Sequence, residues 1–277
     1  MVGKVAKLVL AALPQNQISR LAGKMARSKF SKKLVKGYAS HFKIDVTEAE
    51  KNIEEYEHVT DFFTRKLKKG MRKVDSSPRT IVSPVDGTIS EFGSIHNDTL
   101  IQAKGIDYRV TQLVGNSKMA ERFKDGMFIT IYLSPSDYHR IHTPLAGKGV
   151  SYSYIPGRLF PVNQIGVKNV KGLFARNERL ITYLETEAGL VAMVKVGAFI
   201  VGSVKVNYHN EVTTNPSHGI PISREITPVP SYAKGDEIGW FEFGSTVILL
   251  FEKDKMNLLP GLVAGQKVRM GEGIGTI

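Results

Sequence analysis

The stretch Gly239-Trp-Phe-Glu-Phe-Gly-Ser-Thr-Val-Ile-Leu-Leu-Phe251 lies near the end of the 277-residue chain and combines two patterns. Its second half, Val247 to Phe251, is an unbroken apolar run, which is typical of a strand buried on both faces. Just before the run, Gly244 precedes Ser245, and a glycine carbonyl can be approached closely because glycine has no side chain. The stretch therefore predicts a buried strand that begins at a candidate nucleophile.

Further strand-like runs, separated by glycine or proline turns, continue the pattern on the N-terminal side of this stretch. They cover residues 127–133, 179–184, 190–194 and 199–206. Helical periodicity dominates before residue 80. The sequence thus predicts an α+β fold, with a mainly antiparallel β core of barrel-like or sandwich-like type and an N-terminal amphipathic helical arm. The expected regions are a basic helical, membrane-associating region over 1–79 and a β-rich catalytic core over 80–277.

The positive charge of the chain is concentrated in the arm. Residues 1–43 hold ten Lys or Arg and no Asp or Glu, whereas the remaining residues carry 28 basic against 26 acidic side chains. Ile18, Leu21, Ala22 and Met25 recur at helical spacing, with basic residues between them. A basic amphipathic helix is typical of a segment that lies on an anionic membrane. A solvated basic helix packed on the protein is the alternative, and no nucleic-acid-reading module is recognisable.

Composition excludes several classes of protein. There is no cysteine, so disulfides and thiolate metal sites are excluded, which fits a reducing cytoplasmic setting. No apolar stretch approaches the roughly 20 residues needed to span a bilayer. The run Leu8-Val-Leu10 and the Ala-Ala-Leu that follows it stop at Pro14, which makes the stretch too short to span a bilayer, and it has no convincing signal-peptide cleavage site. His139 and His142 have a zinc-like spacing, but no third ligand is suggested, so no metal is predicted.

A serine hydroxyl is a weak nucleophile that needs a base, usually a histidine oriented by a carboxylate. Two histidines occur in Leu133-Ser-Pro-Ser-Asp-Tyr-His139-Arg-Ile-His142, where Ser134 and Pro135 predict a short helix that presents both on one face. Asp86, in the turn Ser83-Pro-Val-Asp-Gly-Thr88, is the candidate carboxylate. Each also has an ordinary structural interpretation: Asp86 as a turn residue, and the two histidines as surface or packing residues.

Five segments, taken in order, resemble the bacterial phosphatidylserine decarboxylase family from about residue 15 to the end. The segments are Ser83-Pro-Val-Asp-Gly-Thr88, Asp137-Tyr-His-Arg-Ile-His142, Gly157-Arg-Leu-Phe-Pro-Val-Asn163, Val196-Gly-Ala-Phe-Ile-Val-Gly-Ser203 and Phe243-Gly-Ser-Thr246. The family pattern has Leu or Met where this chain has Phe243, which exchanges one apolar side chain for another.

The resemblance implies that Asp86, His142 and Ser245 form a self-processing triad that cuts the chain between Gly244 and Ser245. Ser245 would become a covalent pyruvoyl cofactor, which decarboxylates phosphatidylserine to phosphatidylethanolamine through a Schiff base. His139 would transfer the proton in that step. Phe160 and Asn163 are candidates for lining the substrate pocket.

The resemblance also implies how the products are organised. Fragments 1–244 and 245–277 would stay together as a heterodimer, open to further oligomerisation. The enzyme would lie peripherally on the cytoplasmic face of the inner membrane. Two alternatives stay open: a pyruvoyl decarboxylase of a soluble amine, and a non-enzymatic lipoyl-like or membrane-binding module, suggested by Pro84-Val-Asp-Gly-Thr88 and the β-rich core.

Overall fold

The computed structural model describes residues 14–103, 106–199, 203–209, 214–216, 219–242 and 245–277. The N-terminal run at Leu8 to Leu10, the glycine of the predicted cut, Gly244, and the preceding Phe243 lie outside the described residues. In the described chain no helix is both long enough and apolar enough to cross a membrane.

Helices occur mainly in the first sixty residues, with short ones inserted into the β core. The α-helices are α1 Gln15–Ala26, α2 Val35–His41, α3 Val59–Phe63, α4 Val110–Val114, α5 Ser117–Arg122, α6 Gln164–Asn169 and α7 Leu173–Arg176. Three 3-10 helices cover Lys29–Leu34, Val46–Glu48 and Ile53–Glu55.

Seventeen strands are assigned in the described residues, and every pairing between them is antiparallel. They are β1 Thr80–Val82, β2 Gly87–Ser94, β3 Thr99–Ala103, β4 Ile106–Arg109, β5 Met127–Leu133, β6 Arg140–His142, β7 Gly147–Ile155, β8 Arg179–Thr186, β9 Gly189–Val196, β10 Val204–Val206, β11 Ile222–Glu225, β12 Ser231–Tyr232, β13 Glu237–Phe241, β14 Ser245–Phe251, β15 Asn257–Leu258, β16 Lys267–Val268 and β17 Gly273–Thr276. The predicted α+β class with a mainly antiparallel core is confirmed.

The largest sheet has nine strands, in the order β11-β7-β8-β9-β14-β5-β2-β16, with β12 also pairing to β7. This order does not close on itself in the described residues, so the core is not a closed barrel. A smaller sheet, β10-β13-β6, lies beside it and carries the histidine segment. The sheet order thus places β14 near the middle, between β9 and β5.

Strand β14 is buried along its whole length, which explains why its apolar run lacks alternation. Val247, Leu249 and Phe251 pack into one apolar cluster, and Ile248 and Leu250 pack into the cluster on the other face. Both faces of the strand therefore contribute to the core.

The helical region has its own small apolar cluster, which includes Val35, Tyr56 and Phe62. Helix α1 turns an unexpected face inward: Gln15, Ser19 and Gly23 are its buried residues. The apolar side chains of Leu21 and Met25 are 61% and 64% exposed. The helix thus leaves part of its apolar face uncovered by the described residues.

One local prediction is wrong, and another is confirmed only in part. Residues 134–139 form a turn, not a short helix, because the Asp137 carboxylate accepts from both the backbone N–H and the hydroxyl of Ser134 (2.7 Å each). His142 then lies on β6, so the two histidines are not presented by a helix face. The run predicted at 199–206 is a strand only over β10 within its described residues.

Candidate active site

Three neighbouring strands, β2, β5 and β14, bring the candidate residues to one edge of the large sheet. This edge is formed by the ends of the strands and not by an outer strand. β2 begins directly after Asp86, and β14 begins at Ser245. Both strands pair with β5, and both place their second residue opposite Tyr132. Because neighbouring strands are about 4.8 Å apart, the backbones at Asp86 and Ser245 are separated by roughly 10 Å.

Backbone hydrogen bonds attach the histidine segment to the same edge. The His142 N–H donates to the Pro84 carbonyl (2.8 Å), which joins β6 to the turn that carries Asp86. The Phe241 N–H donates to the His139 carbonyl (2.9 Å), which joins His139 to the segment that leads into Ser245. The four residues predicted as catalytic therefore converge on one region of the fold.

Ser245 is fully buried, and its Oγ has no hydrogen-bond partner among the described residues. The neighbouring Thr246 hydroxyl is in the same condition. Leaving a buried hydroxyl unpaired costs about 1–3 kcal/mol, so such groups are uncommon in folded proteins. The Ser245 hydroxyl is therefore not held by an acceptor, and neither His139 nor His142 is hydrogen-bonded to it in the described residues.

His142 is held by hydrogen bonds at both ring nitrogens. Nδ1 lies 2.8 Å from the Gly235 carbonyl, which can only accept, so Nδ1 carries the proton. Nε2 then has the lone pair and accepts from the Tyr138 hydroxyl at 3.1 Å. Burial lowers the pKa of His142 below its usual value. The ring is therefore neutral near pH 7 and able to accept a proton at Nε2.

Asp86 pairs with Arg72, a residue that the sequence gave no reason to single out. The Arg72 Nε donates to both carboxylate oxygens (2.8 and 3.0 Å), and the Met270 N–H donates to Oδ1 (2.8 Å). No hydrogen bond joins Asp86 to His142 among the described residues, although the negative charge of Asp86 raises the pKa of His142 against the effect of burial. Asp86 is thus one of several groups that act on the histidine, and it raises the pKa of His142 less than the Gly235 carbonyl and Glu237 do.

Arg72 also ties the active-site edge to the helical region, since its Nη2 donates to Glu48 at 2.9 Å. The two side chains of the Arg72 and Asp86 pair are only 7% and 8% exposed. Arg72 lies in a charged connector without periodicity. Its partner is fourteen residues away, so local sequence carries no signal for the contact.

His139 is fully buried and packs against Phe63, with ring centroids 4.0 Å apart. Its Nδ1 lies 2.8 Å from the Asp137 carbonyl and therefore carries the proton, whereas Nε2 has no partner in the described chain. Burial, with a smaller contribution from the charge of Arg65, lowers the pKa of His139 to about 3. His139 thus has a neutral ring with a free lone pair.

The helical region covers the histidine segment. Arg65 donates to the carbonyls of Ser136 and Asp137 (3.1 and 3.3 Å), and Arg140 donates back to the Thr64 carbonyl at 2.9 Å. These bonds fix the turn that precedes His139 and shield it from water.

An apolar cavity of about 370 Å³ lies between the helical region and the core. Tyr38, Phe63, Tyr132 and Asn163 line it, so it reaches the ring that covers His139. Asn163 therefore lies at the cavity as the sequence suggested. Phe160 is buried in the apolar cluster instead and is not among its lining residues.

Lys195 is a buried cation that the sequence analysis missed, because a lysine within an apolar run resembles a solvent-facing strand position. It lies on β9 opposite Val247, two residues along β14 from Ser245. Its Nζ donates to the Thr182 hydroxyl and to the Met193 carbonyl (3.2 Å). Burial lowers the pKa of Lys195 to about 7.

We expect Lys195→Met to stabilise the fold at neutral pH by on the order of 2 kcal/mol, after allowing for the two lost hydrogen bonds. The pKa of Lys195 in the folded protein, about 7, lies below the ordinary lysine value of 10.5 that holds in the unfolded chain, so unfolding takes up a proton between these pH values. The buried Lys195 ammonium therefore lowers the free energy of unfolding of the wild type by its full amount below pH 7. This destabilisation disappears as the pH rises to 10.5. Urea unfolding of Ser245→Ala chains at several pH values measures the difference, with exposed Lys148→Met as control. A pH-independent difference would contradict the assignment.

Within the described ranges, no three His, Asp or Glu side chains are grouped so that they could hold a metal ion. The unpaired buried atoms at this edge include the hydroxyls of Ser245 and Thr246 and an imidazole nitrogen of His139. That donor set suits an internal nucleophile next to bases.

Comparison with known proteins yields one family match. The model of the phosphatidylserine decarboxylase family matches residues 59–276. The match includes the turn with Asp86, both histidines and the β14 strand.

Curated relatives cover nearly the whole chain. A phosphatidylserine decarboxylase proenzyme of Brevibacillus brevis is 51% identical over 266 residues, which are 95% of each chain. Proteins of the same name from Myxococcus xanthus and Acinetobacter baylyi are 43% and 42% identical. These two alignments cover 97% and 95% of this chain and 97% and 92% of the relatives.

Proposed function

Because this chain belongs to the phosphatidylserine decarboxylase family and is a decarboxylase made as a proenzyme, we propose that it forms its own pyruvoyl group from Ser245 and uses it to convert phosphatidylserine to phosphatidylethanolamine. The observation that carries this proposal is the buried, unpartnered Ser245 hydroxyl at the start of β14. It lies at the sheet edge where two neutral histidines and Asp86 also converge.

In the self-processing step, the Ser245 hydroxyl attacks the carbonyl carbon of Gly244, and the peptide bond becomes an ester. His142 takes the serine proton at Nε2, whose lone pair the Tyr138 hydroxyl must first release. The resulting imidazolium is stabilised by the Gly235 carbonyl and by the charges of Glu237 and Asp86. Loss of the Ser245 α-proton then releases residues 1–244 as a carboxylate, and hydrolysis of the remaining dehydroalanine gives the pyruvoyl terminus and ammonia.

At the start of β14, the pyruvoyl group would supply an electrophilic carbonyl able to bind the primary amine of the substrate and to accept the electron pair that carbon dioxide leaves behind. His139 moves the protons. Its unpartnered Nε2 carries the proton that is returned to carbon after carbon dioxide leaves. The low pKa of His139 favours this return, because a buried imidazolium is a strong acid.

The apolar cavity suits the reacting end of a lipid. Phe63 and Tyr132 exclude water from its walls, and Asn163 offers a polar group at one side. Excluding water keeps solvent from protonating the reacting carbon. It also strengthens the electrostatic interactions between the substrate and the side chains around it. We assign the cavity to the substrate next to the pyruvoyl carbonyl.

We further propose that the helical region is a lipid-docking surface, defined by the apolar Leu21, Met25, Phe30 and Leu34. These four side chains are 55–71% exposed, a large apolar exposure for one small region. Exposed lysines at positions 24, 29, 32 and 33 accompany them. Each adds about 1 kcal/mol of attraction to an anionic bilayer. The enzyme would then lie peripherally on the cytoplasmic face of the inner membrane.

The double variant Leu21→Gln/Phe30→Gln should bind vesicles containing phosphatidylserine about 100-fold more weakly, because each apolar side chain contributes roughly 1.5 kcal/mol or more when buried. Net charge does not change, so the loss reports apolar insertion. Sedimentation with vesicles measures it. Val263→Gln, which alters an apolar side chain of the core that is 57% exposed, is the matched control. Equal loss in both proteins, or no loss in the double variant, would argue against this surface.

Denaturing mass spectrometry tests the main proposal. We expect two fragments, 1–244 and 245–277, with the smaller beginning in a pyruvoyl group, and turnover of phosphatidylserine in liposomes. Active protein that runs as one unsplit chain would refute the pyruvoyl mechanism. Split protein that prefers a soluble amine over the lipid would favour the alternative substrate.

A further inference from the structure

A second cavity, of about 340 Å³, lies between helix α1 and the corner formed by β10 and the segment after β13. Four cationic side chains line it: Arg20, Lys24, Arg27 and Lys205. Its one acidic lining residue, Glu242, is already engaged by Arg27 and by the Ser203 hydroxyl. The lining residues that the structure describes therefore leave an excess of three positive charges.

Asn215 gives this cavity a polar wall without a partner. The residue is 6% exposed, and neither atom of its side-chain amide has a hydrogen-bond partner among the described residues. Its backbone is fixed, since the N–H donates to the buried Glu178. A buried amide is normally paired, so an unpaired one beside clustered cations indicates a place for an anionic ligand with oxygen acceptors.

The cavity lies close to the reacting residue. Glu242 is three residues before Ser245, which limits the backbone separation to roughly 10 Å, and its N–H donates to the Ser203 carbonyl at 2.8 Å. In phosphatidylserine only three atoms separate the amine nitrogen from phosphorus. Because this spacing is shorter than that limit, a head group whose amine reaches position 245 would place its phosphate at the end of the cavity that Glu242 and Ser203 line.

We propose that this cationic cavity binds the phosphate of the phosphatidylserine head group, an assignment that rests on the proposed function. Arg20 is the main anchor, because a guanidinium can hold two phosphate oxygens at once, and its position next to Pro216 is fixed by a hydrogen bond of 3.1 Å. Lys205 adds a point charge, and the Asn215 amide donates to a phosphate oxygen. The apolar cavity and the cationic cavity thus hold different parts of one substrate.

Lys205→Gln is the decisive variant, because none of the hydrogen bonds or ion pairs of the described residues depends on its side-chain amine. With short-chain phosphatidylserine kept monomeric in water, we expect KM to rise about tenfold while kcat stays within twofold. Inorganic phosphate should compete with this substrate, and its inhibition constant should rise by a similar factor. Lys148→Gln removes an exposed lysine elsewhere on the core and should change neither constant. Asn215→Ala should raise KM in the same way.

Unchanged KM and phosphate inhibition in Lys205→Gln would overturn the assignment. Normal KM on the monomeric substrate together with weaker vesicle binding would also overturn it, since the cations would then serve bilayer attraction. Failure of the proposed function is seen separately, as wild-type protein that is neither split nor active. In that case, calorimetric titration of the unsplit chain with inorganic phosphate still decides whether the cavity binds phosphate: binding that Lys205→Gln weakens supports the site, and no binding overturns it.

Discussion

Ser245→Ala should yield a single uncut chain and lower phosphatidylserine turnover by at least about 10⁴-fold, because the variant has neither the internal nucleophile nor the carbonyl derived from it. The substitution removes one oxygen atom that has no hydrogen-bond partner in the described chain, so the fold should be preserved. Denaturing mass spectrometry and a liposome assay measure the two effects together.

Thr246→Ala is the matched control, since it removes the adjacent hydroxyl, which is also buried and unpaired. Thr246 should be dispensable for cutting because successive strand residues point to opposite faces of a sheet. Retained lipid turnover in uncut Ser245→Ala protein would eliminate the pyruvoyl mechanism. Loss of cutting in both variants would indicate a general disturbance of β14.

His139→Gln should split normally at position 245 yet lose about 10²- to 10⁴-fold in decarboxylation, the usual contribution of a positioned proton-transfer group. Glutamine has a similar length and can still donate to the Asp137 carbonyl, so the packing under Phe63 is largely kept. What disappears is the lone pair at Nε2. Fragment analysis and single-turnover release of carbon dioxide separate the two steps.

His142→Gln provides the reciprocal measurement, because its histidine is assigned to the cut. That variant should remain mostly uncut. A His139→Gln enzyme with full turnover would remove His139 from the proton-transfer role, and a His142→Gln chain that splits at the wild-type rate would remove His142 from the triad.

The sequence predicted most accurately those strands that are buried on both faces of the sheet. The run at 127–133 matches β5, and the run at 247–251 lies within β14, because residues buried on both faces must all be apolar. The prediction around Ser134 failed because the same residues that begin a helix also stabilise a turn. There the Asp137 carboxylate bonds back to Ser134, and Arg65 from the helical region takes the carbonyls that a helix would have used.

For the site, motifs located the four catalytic candidates, and the fold places them at one sheet edge. Their partners were hidden, because they depend on contacts made in three dimensions. Arg72 binds Asp86 from a connector that has no pattern of its own. Lys195 is buried only because β9 is covered on the face where its side chain lies. The inward face of α1 could not be foreseen either, since Gln15 and Ser19 are polar and small residues that a periodicity argument assigns to solvent.

The position of β14 between β9 and β5 has a consequence for the life history of the protein. If the bond before Ser245 is cut as proposed, a 33-residue fragment stays in the middle of the sheet, hydrogen-bonded to a neighbouring strand on each side. We therefore expect maturation to follow folding. When the cut protein is unfolded by heat, its two fragments separate and must reassociate by diffusion before they can refold. In the uncut precursor the two parts belong to one covalent chain, so refolding does not depend on protein concentration.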